Sequence, residues 1–338
     1  MAAVVFGPDR ARAASGRRTA LVLGAGGVLG AAWMTGALSG LAMRLDRRLG
    51  DVDFIVGTSA GSVLAAALRC RVPFEEIVAG QRGPATGLLS ESMALAAQDG
   101  PLPPLPRWRF GSVPLAWAAL LTPHRVPPWV AASAWLPYGR GRHAALRSLV
   151  TGLQQRAGAD GSPAAWADDQ TWIAAVDYST GQRVLFGRDG APRAPLADAV
   201  VASCSIPGWY EPAVIGGRRY VDGGVRSMTS LDALGDTDVH EIYVLAPMAS
   251  TESDHPLQPH LRMERRLRQV LTHVLVRQAR TLAAQGRRVT VLTPGPRDLA
   301  AMGINLMDPR RRQAVLDLSF RTSADALAQL DGAAPRAA

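Results

Sequence analysis

The sequence predicts an α/β fold in which helices cover a parallel β-sheet. Two strand–turn–helix units fall within the first 70 residues, and each joins a short apolar run to a glycine-containing turn and a helical pattern. The apolar segments at 240–246 and 288–292 are further strand candidates. Because 48% of the 338 residues are apolar, the chain can bury a large core.

The two units at the start of the chain have the same order of elements. In the first, a strand at 19–23 enters a glycine-rich loop, and a helix is predicted over 31–49. In the second, a buried strand at 53–56 leads through a turn at 57–61 into a helix at 62–69. Such repeated units are the reason for predicting parallel strands.

The elements further along the chain follow a looser pattern. Strands at 170–175 and 183–186 predict a hairpin-like pair around a turn at 177–181. Further helices are predicted at 143–155, 196–203, 261–285 and 308–330.

Residues 82–142 interrupt the alternation of strands and helices. Proline and glycine are dense there, which predicts an insertion or lid with little long regular structure. We therefore predict one domain over 19–330 that carries this insertion. A disordered basic leader at 1–18 and a disordered tail at 331–338 are expected on either side.

The charge balance is basic, with a formal net charge of +9 that comes from arginine, since the chain has no lysine. Positive charge favours anionic partners such as phospholipid surfaces. Cys70 and Cys204 lack the spacing of a metal site or a disulfide framework, so we expect reduced thiols and a cytoplasmic location. No apolar run reaches the roughly 18 residues of a membrane span, so any membrane contact is expected to be peripheral.

The turn 57–61 has the pattern Gly-X-Ser-X-Gly between the second strand and its helix. A sharp turn of this kind pushes the hydroxyl of Ser59 out of the sheet, where a substrate can reach it. The flanking glycines are needed because backbone segments come close together there. This context indicates a nucleophile, and the alternative is an ordinary helix start capped by Thr58 or Ser59.

The loop from Gly24 to Gly30 opens a helix and points several amide groups in one direction. Such a site can hold a phosphate or a developing oxyanion. A dinucleotide site requires Gly-X-Gly-X-X-Gly, but the sixth position counted from Gly24 is Leu29, and the glycine comes one residue later. The spacing therefore disfavours a dinucleotide cofactor.

A third signal, Asp222-Gly223-Gly224, lies far downstream, after the segment 202–212. Alone, an Asp-Gly pair is as typical of a plain turn. With the glycine loop, the Gly-X-Ser-X-Gly turn and the segment 202–212 in this order, the sequence resembles the patatin-like phospholipase family over 19–224. The resemblance implies a three-layer α/β/α fold around a central, mostly parallel sheet.

The same resemblance implies a Ser-Asp dyad in which Ser59 is the nucleophile and Asp222 its base. The oxyanion donors that it implies are Gly26, Gly27 and Ala60, and the glycines that complete the motifs are Gly24, Gly30, Gly57, Gly61, Gly223 and Gly224. Leu29 departs from the family, which often has a basic residue there. Any electrostatic contribution from that side chain is therefore absent.

The implied activity is hydrolysis of a carboxylic ester of a phospholipid or acylglycerol through an acyl-enzyme, with no metal or organic cofactor. The expected partners are a lipid ester and an anionic membrane surface, and no nucleic acid, because the arginine clusters lack interleaved aromatic residues. Two alternatives stay open: a triad serine esterase or thioesterase, and a non-enzymatic lipid- or nucleotide-binding protein. The histidines that could complete a triad are His240, His255, His260 and His273.

Two further segments suit a lipid surface. Half of the eight tryptophans lie in the insertion, and tryptophan is typical of the boundary between water and lipid. The alternative is that these rings pack on the core. They are Trp108, Trp117, Trp129 and Trp135. The helix at 261–285 is both basic and amphipathic, which predicts a core-packed helix with a solvated arginine face or, less favoured, a membrane-surface helix.

Overall fold

The computed structural model describes residues 1–8, 17–45, 47–83, 106–158, 170–252, 254 and 256–332. In these ranges nine strands form one mixed sheet, and two short strands form a second sheet. The strands of the main sheet are β1 (Ala2–Phe6), β2 (Thr19–Leu23), β3 (Phe54–Thr58), β6 (Thr171–Asp177), β7 (Arg183–Phe186), β8 (Ala213–Ile215), β9 (Arg218–Asp222), β10 (Glu241–Leu245) and β11 (Arg288–Thr293), and the second sheet consists of β4 (Arg107–Phe110) and β5 (Pro137–Tyr138).

The main sheet has the strand order β1-β11-β10-β2-β3-β6-β9-β8, and β7 also pairs with β6. The central strands β11, β10, β2, β3 and β6 are parallel neighbours. The remaining strands pair antiparallel on the two sides of this group. The predicted mostly parallel sheet is therefore confirmed, and the hairpin predicted at 170–175 and 183–186 is the observed pair of β6 and β7.

Helices lie on both faces of the sheet. They are α1 (Gly27–Arg44), α2 (Ala60–Arg69), α3 (Phe74–Arg82), α4 (Val113–Leu121), α5 (Pro128–Ser133), α6 (Ala144–Gly158), α7 (Leu196–Cys204), α8 (Pro259–Ala284), α9 (Pro296–Met302) and α10 (Arg312–Gly332). Along β2, Leu21 and Leu23 belong to one core with α1, α2, α7 and α10, whereas Ala20 and Val22 belong to a second core with α8. Successive side chains of a strand point to opposite faces, so the three-layer α/β/α fold is confirmed.

The prediction of a disordered leader at 1–18 is wrong for its first residues. Ala2–Phe6 form β1, the outermost strand of the main sheet, which pairs antiparallel with β11. Only the tertiary contact with β11 makes this run of Ala and Val a strand, because it has no alternation of apolar and polar residues. Arg18 is also ordered, and its guanidinium donates to the carboxylate of Asp238. Residues 9–16 lie outside the described residues.

The insertion predicted at 82–142 contains more regular structure than expected in its described part. Ser112 caps α4 by accepting a hydrogen bond from the amide of Leu115, at 3.2 Å. Pro114 and Pro128 lie in the first turns of α4 and α5, where a proline removes no helical hydrogen bond. Prolines that predicted irregular structure therefore begin helices. Residues 84–105 lie outside the described residues.

Several element boundaries also differ from prediction. Helix α1 begins at Gly27 and α2 at Ala60, because the glycine-containing turns already enter the first helical turn. Helix α10 reaches Gly332, so the first two residues of the predicted tail are helical, and 333–338 lie outside the described residues. No helix in the described ranges has the length and apolar character that crossing a bilayer requires.

Candidate active site

Ser59 occupies the turn between β3 and α2. Its backbone has φ of 52° and ψ of −120°, a left-handed conformation that is uncommon for a residue with a side chain. All five residues of β3 are buried. The carbonyl oxygen of Ser59 accepts a hydrogen bond from the amide of Ser62, at 2.8 Å. A buried strand and the first turn of a helix therefore fix the position of Ser59.

Two glycines allow this turn to pack closely against its neighbours. A Cβ at Gly61 would collide with the carbonyl group of Leu23, at the end of β2. A Cβ at Gly57 would stand 2.7 Å from the Cα of Ser62, closer than real Cβ contacts come. The Gly-X-Ser-X-Gly pattern is thus explained by the close approach of α2 to both β2 and β3.

Asp222 is the last residue of β9, and its carboxylate is buried, with 4% of the residue exposed. One carboxylate oxygen, Oδ1, accepts a hydrogen bond from the amide of Gly224 at 2.7 Å. The other, Oδ2, is buried and has no hydrogen-bond partner among the described residues. Asp222 therefore retains one free acceptor.

The Ser59 hydroxyl lies close enough to this carboxylate to influence its pKa. Burial raises the pKa of Asp222 to about 6, while the nearby Ser59 hydroxyl and the Gly224 amide act to lower that pKa. Among the described residues, the Ser59 hydroxyl does not complete a hydrogen bond to Oδ2. Catalytic hydrogen bonds are often loose without substrate and tighten when it binds.

The end of α7 holds the backbones of both Ser59 and Asp222. The buried hydroxyl of Ser203 accepts a hydrogen bond from the Ser59 amide at 2.8 Å and donates to a carbonyl of β6 at 2.6 Å. The carbonyl of Ser205 accepts from the Asp222 amide at 2.9 Å. Neither serine was predicted as part of the site, although both lie in the segment 202–212 that supports the family resemblance.

His143 and Cys204 complete the contacts around this helix end. Nε2 of His143 lies 3.0 Å from the carbonyl oxygen of Cys204, and the ring stacks on Tyr210 at a centroid distance of 3.8 Å. Burial lowers the pKa of His143 to about 4, so the neutral ring donates to that carbonyl at pH 7. Burial, with a smaller contribution from the Asp222 charge, raises the pKa of the Cys204 thiol. The Cys204 thiol is not in a disulfide, and its raised pKa keeps it protonated at pH 7.

The glycine-rich loop between β2 and α1 presents amide groups without a hydrogen-bond partner in the described part of the chain. The amides of Gly24 and Ala25 donate to carbonyls of other segments at 2.9 and 2.8 Å, which fixes the loop. Among the described residues, the amides of Gly26, Gly27 and Ala60 form no hydrogen bond. All three lie at helix starts, where backbone donors have no partner within the helix and can bind an anion.

The structure brings the three motifs together at the edge of the sheet that is formed by the carboxyl ends of its parallel strands. Strands β2 and β3 are parallel and end there side by side, and Asp222 pairs with Ala175 of β6, the next strand after β3. A Cβ at Gly224 would stand 3.3 Å from the Cβ of Ala25, so the Asp-Gly-Gly turn lies against the glycine loop. The predicted residues at this edge are Ser59, Asp222, Gly26, Gly27 and Ala60, with Gly24, Gly30, Gly57, Gly61, Gly223 and Gly224.

The position where the family often has a basic residue faces the core. Leu29 is fully buried between α1 and the sheet. Arg268 of α8, 2% exposed, lies behind the loop, where it pairs with Glu264 and donates to the carbonyl of Pro247 at 2.6 Å. The Pro247 ring would stand 2.9 Å from a Cβ at Gly26. The predicted solvated arginine face is therefore wrong for Arg268, which sequence reasoning did not connect with the site.

An apolar cavity of about 510 Å³ adjoins the motifs. Ala25 of the glycine loop and Gly224 of the Asp-Gly-Gly turn line part of its wall. Helix α5 contributes Trp129, and α8 contributes Leu267 and Val270. A cavity of this size and apolar character can accommodate an alkyl chain.

No late histidine in the described residues contacts the serine–aspartate pair. His240 is exposed just before β10, at the edge of the sheet opposite the site, because β10, β2 and β3 are parallel. His260 and His273 are exposed on α8, and His255 is outside the described residues. The described part of the chain also contains no group of three or more His, Cys, Asp or Glu side chains that could hold a metal ion.

Comparison with known families identifies the chain. The patatin-like phospholipase family matches residues 21–234, which is more than half of the 338 residues. The chain belongs to this family. Membership in the patatin-like phospholipases supports a lipid hydrolase activity and agrees with the α/β/α fold. No curated protein matches the sequence.

Solved structures with detectable similarity to this patatin-like chain include VipD from Legionella pneumophila, at 11% identity and a TM-score of 0.43. That match covers 94% of this chain and 67% of VipD. The type III effector ExoU matches at 16% identity and a TM-score of 0.31, over 98% of this chain and 63% of that one. The complex of SpcU with ExoU from Pseudomonas aeruginosa matches at 14% identity and a TM-score of 0.29, over 93% of this chain and 61% of that one. The chain thus spans about two thirds or less of each.

Proposed function

We propose that the chain hydrolyses carboxylic esters of phospholipids or acylglycerols, with Ser59 as nucleophile and Asp222 as base. The observation that carries this proposal is the buried Asp222 carboxylate, which has one unpaired oxygen and lies near the Ser59 hydroxyl. A pKa of about 6 makes this carboxylate a stronger base than an exposed aspartate and leaves it ionised at pH 7.

The proposed reaction has two halves. Asp222 accepts the Ser59 proton as Oγ attacks the ester carbonyl carbon, and the free amides of Gly26, Gly27 and Ala60 stabilise the oxyanion. The intermediate then collapses, and the alcohol leaves with the proton held by Asp222. In the second half, Asp222 deprotonates a water molecule that attacks the acyl-enzyme, which releases the fatty acid and restores Ser59.

The apolar cavity beside the site supports a substrate with a long acyl chain. Its walls include Ala25 and Gly224, neighbours of the proposed oxyanion donors and of Asp222, so a chain bound there would place its ester group near Ser59. A cytoplasmic location with peripheral membrane contact stays a prediction. The division into a leader, one domain at 19–330 and a tail also stays a prediction, apart from the corrections at the two ends.

The proposal can be tested by hydrolysis of a panel of phospholipids and acylglycerols. We expect Ser59→Ala and Asp222→Asn each to lower kcat/KM by about 10⁴-fold, because the nucleophile and its base act together. Ser179→Ala, in the turn after β6, is the matched control and should leave kcat/KM unchanged. A fluorophosphonate probe, read by intact mass, should label the wild-type protein but not Ser59→Ala.

Other results would point to the alternatives. Full turnover by Ser59→Ala would rule out the proposed nucleophile. If substitution of His240, His255, His260 or His273 by Ala abolished turnover in a folded protein, the triad esterase would be favoured. If the protein bound lipids or nucleotides without hydrolysis or probe labelling, it would be a binding protein rather than an enzyme.

A further inference from the structure

A group of large apolar side chains on and around α4 and α5 is exposed to solvent. The group, called here the tryptophan face, consists of Trp117, Leu120, Leu121, Trp129 and Trp135. Each of these residues has between 59% and 73% of its surface exposed. Exposed apolar patches of this kind are rare on soluble proteins unless they meet a partner or a membrane.

The tryptophan face is not needed for the internal packing of the two helices. Their inner sides already form a core of their own, in which Leu115, Val126 and Val130 are nearly inaccessible and contact Val176 and Val221 of the main sheet. Helix α4 is therefore anchored through one side, while Trp117, Leu120 and Leu121 remain in solvent. An exposed apolar side that carries tryptophan suits the boundary between water and lipid.

The tryptophan face borders the opening of the apolar cavity. Trp129 and Leu136 line the cavity and are also exposed, and Leu267 and Val270 of α8 have both properties as well. Residues that are both cavity wall and outer surface mark the mouth of the cavity. The outer side of α8 around Leu267 and Val270 is thus exposed, although Arg268 in the same turn is buried, as is Leu275 one to two turns later.

The surroundings of the mouth carry positive charge. Residues 106–142, which include α4 and α5, contain five arginines and neither aspartate nor glutamate, and α8 contains six arginines with Glu264 as its single acidic residue. Glu211 from a neighbouring segment approaches Arg107 and Arg142, at 4.0 and 3.8 Å. On α8, Arg266 and Arg277 are exposed and have no ion-pair partner among the described residues.

We propose that the tryptophan face docks on an anionic phospholipid bilayer, with the cavity mouth directed at the acyl chains. The apolar side chains would enter the interfacial region, and the flanking arginines would meet the lipid phosphates. A second copy of this chain is a poorer occupant, because two faces of the same positive charge repel each other. The inference goes beyond the proposed chemistry, since docking can be measured without turnover.

The test uses the full chain carrying Ser59→Ala, so that lipid is not consumed. Binding is measured by co-sedimentation with vesicles of phosphatidylcholine, with or without an equal share of phosphatidylglycerol. The double substitution Trp117→Ser with Leu120→Ser should weaken binding to the anionic vesicles by about tenfold, because two apolar side chains no longer enter the interface. Met43→Ser, which removes a side chain 78% exposed at the end of α1, is the control and should have no effect.

A second substitution tests the charge. Arg266→Gln should weaken binding to the anionic vesicles by about fivefold and leave the weaker binding to phosphatidylcholine unchanged. Arg48→Gln, which removes an exposed charge near the start of β3, at the opposite edge of the sheet, should change neither. Added salt should reduce the difference between the two kinds of vesicle.

Three results would overturn the proposal. The first is no binding of the Ser59→Ala chain to anionic vesicles. The second is binding that Trp117→Ser with Leu120→Ser leaves intact. The third is loss of self-association in the double variant, seen by sedimentation velocity, with vesicle binding unchanged. Hydrolysis of a soluble short-chain ester by the chain with Ser59 intact reports separately on the proposed function, so the two failures are distinguishable.

Discussion

The edge of the sheet that holds Ser59 and Asp222 lies close in space to the tryptophan face. The two regions are nevertheless built in opposite ways. At the edge, the site residues are almost completely buried and their backbones are tied to α7 and to each other's loops. On the tryptophan face, large apolar side chains extend into solvent from helices that are anchored on one side only.

This difference indicates which part of the proposed reaction the chain performs alone. Charge stabilisation in a transition state depends on donors and acceptors that are already in place, so the residues around Ser59 are held by buried hydrogen bonds. Contact with a lipid surface, in contrast, requires apolar side chains that stay exposed to solvent until the lipid binds. Substitutions at the edge should therefore affect folding and turnover, whereas substitutions on the face should affect neither in solution.

The largest expected effect is that of Gly61→Ala. The new methyl group would collide with the carbonyl of Leu23 and push α2 away from β2. We expect the free energy of unfolding in urea to fall by about 3 kcal/mol, with loss of ester hydrolysis. Gly235→Ala is the control, because a Cβ there would meet nothing within 4 Å. Equal stability of the two variants would show that the edge is less tightly packed than described.

The next effect separates positioning from stability. Ser203→Ala leaves the Ser59 amide and a carbonyl of β6 without their buried partner, which should lower the free energy of unfolding by about 2 kcal/mol. Ser319→Ala removes a similar buried bond, from its hydroxyl to the carbonyl of Trp33, far from the site. Both should lose stability, but only Ser203→Ala should also lower kcat, by tenfold or more. Equal kcat values would contradict a positioning role for Ser203.

The raised pKa of Asp222 predicts the pH dependence of hydrolysis. The proposed base must be ionised, so kcat/KM should fall about tenfold for each pH unit below 6. Burial favours the protonated carboxyl in the folded state, and this contribution to stability is present below about pH 4 and lost as the pH rises through 6. At pH 7, Asp222→Asn should therefore raise the free energy of unfolding while abolishing turnover. A decrease would mean that the charged carboxylate stabilises the fold.

The smallest effect is expected on the tryptophan face. Trp117→Ser with Leu120→Ser should change the free energy of unfolding by less than about 0.5 kcal/mol, because both side chains are largely exposed. Leu115→Ala on the same helix removes a fully buried side chain and should reduce the free energy of unfolding by about 3 kcal/mol. Both values come from urea unfolding monitored by circular dichroism. A large loss in the double variant would place its side chains in a packed interior.

The sequence was sufficient for the parts of the fold that depend on local pattern. The apolar run of β2, the Gly-X-Ser-X-Gly turn and the Asp-Gly-Gly turn predicted the layers and the residues that meet at the edge. β1 was missed because its pairing with β11 joins residues almost 300 positions apart. Helix α4 was missed because its proline was interpreted as a breaker, whereas a cap at Ser112 makes it a first-turn residue.

The sequence predicted that Ser59 and Asp222 would meet, but not the residues that hold their backbones in place. Ser203 lies 144 positions from Ser59, and its hydroxyl has no sequence signature that distinguishes it from any other serine in a helix. Arg268 was grouped with the exposed arginines of α8, because charge alone does not reveal that Pro247 supplies a carbonyl to a buried guanidinium. Such roles depend on long-range geometry, which only the folded chain contains.

The left-handed backbone of Ser59 has a consequence for directed evolution of the chain. Glycine adopts a φ of 52° without a steric penalty, so Ser59→Gly would relieve strain of about 1 kcal/mol. A library screened for thermal tolerance alone would thus be enriched in variants that have discarded the hydroxyl. Activity has to be included in the screen from the first round if the improved protein is to remain an enzyme.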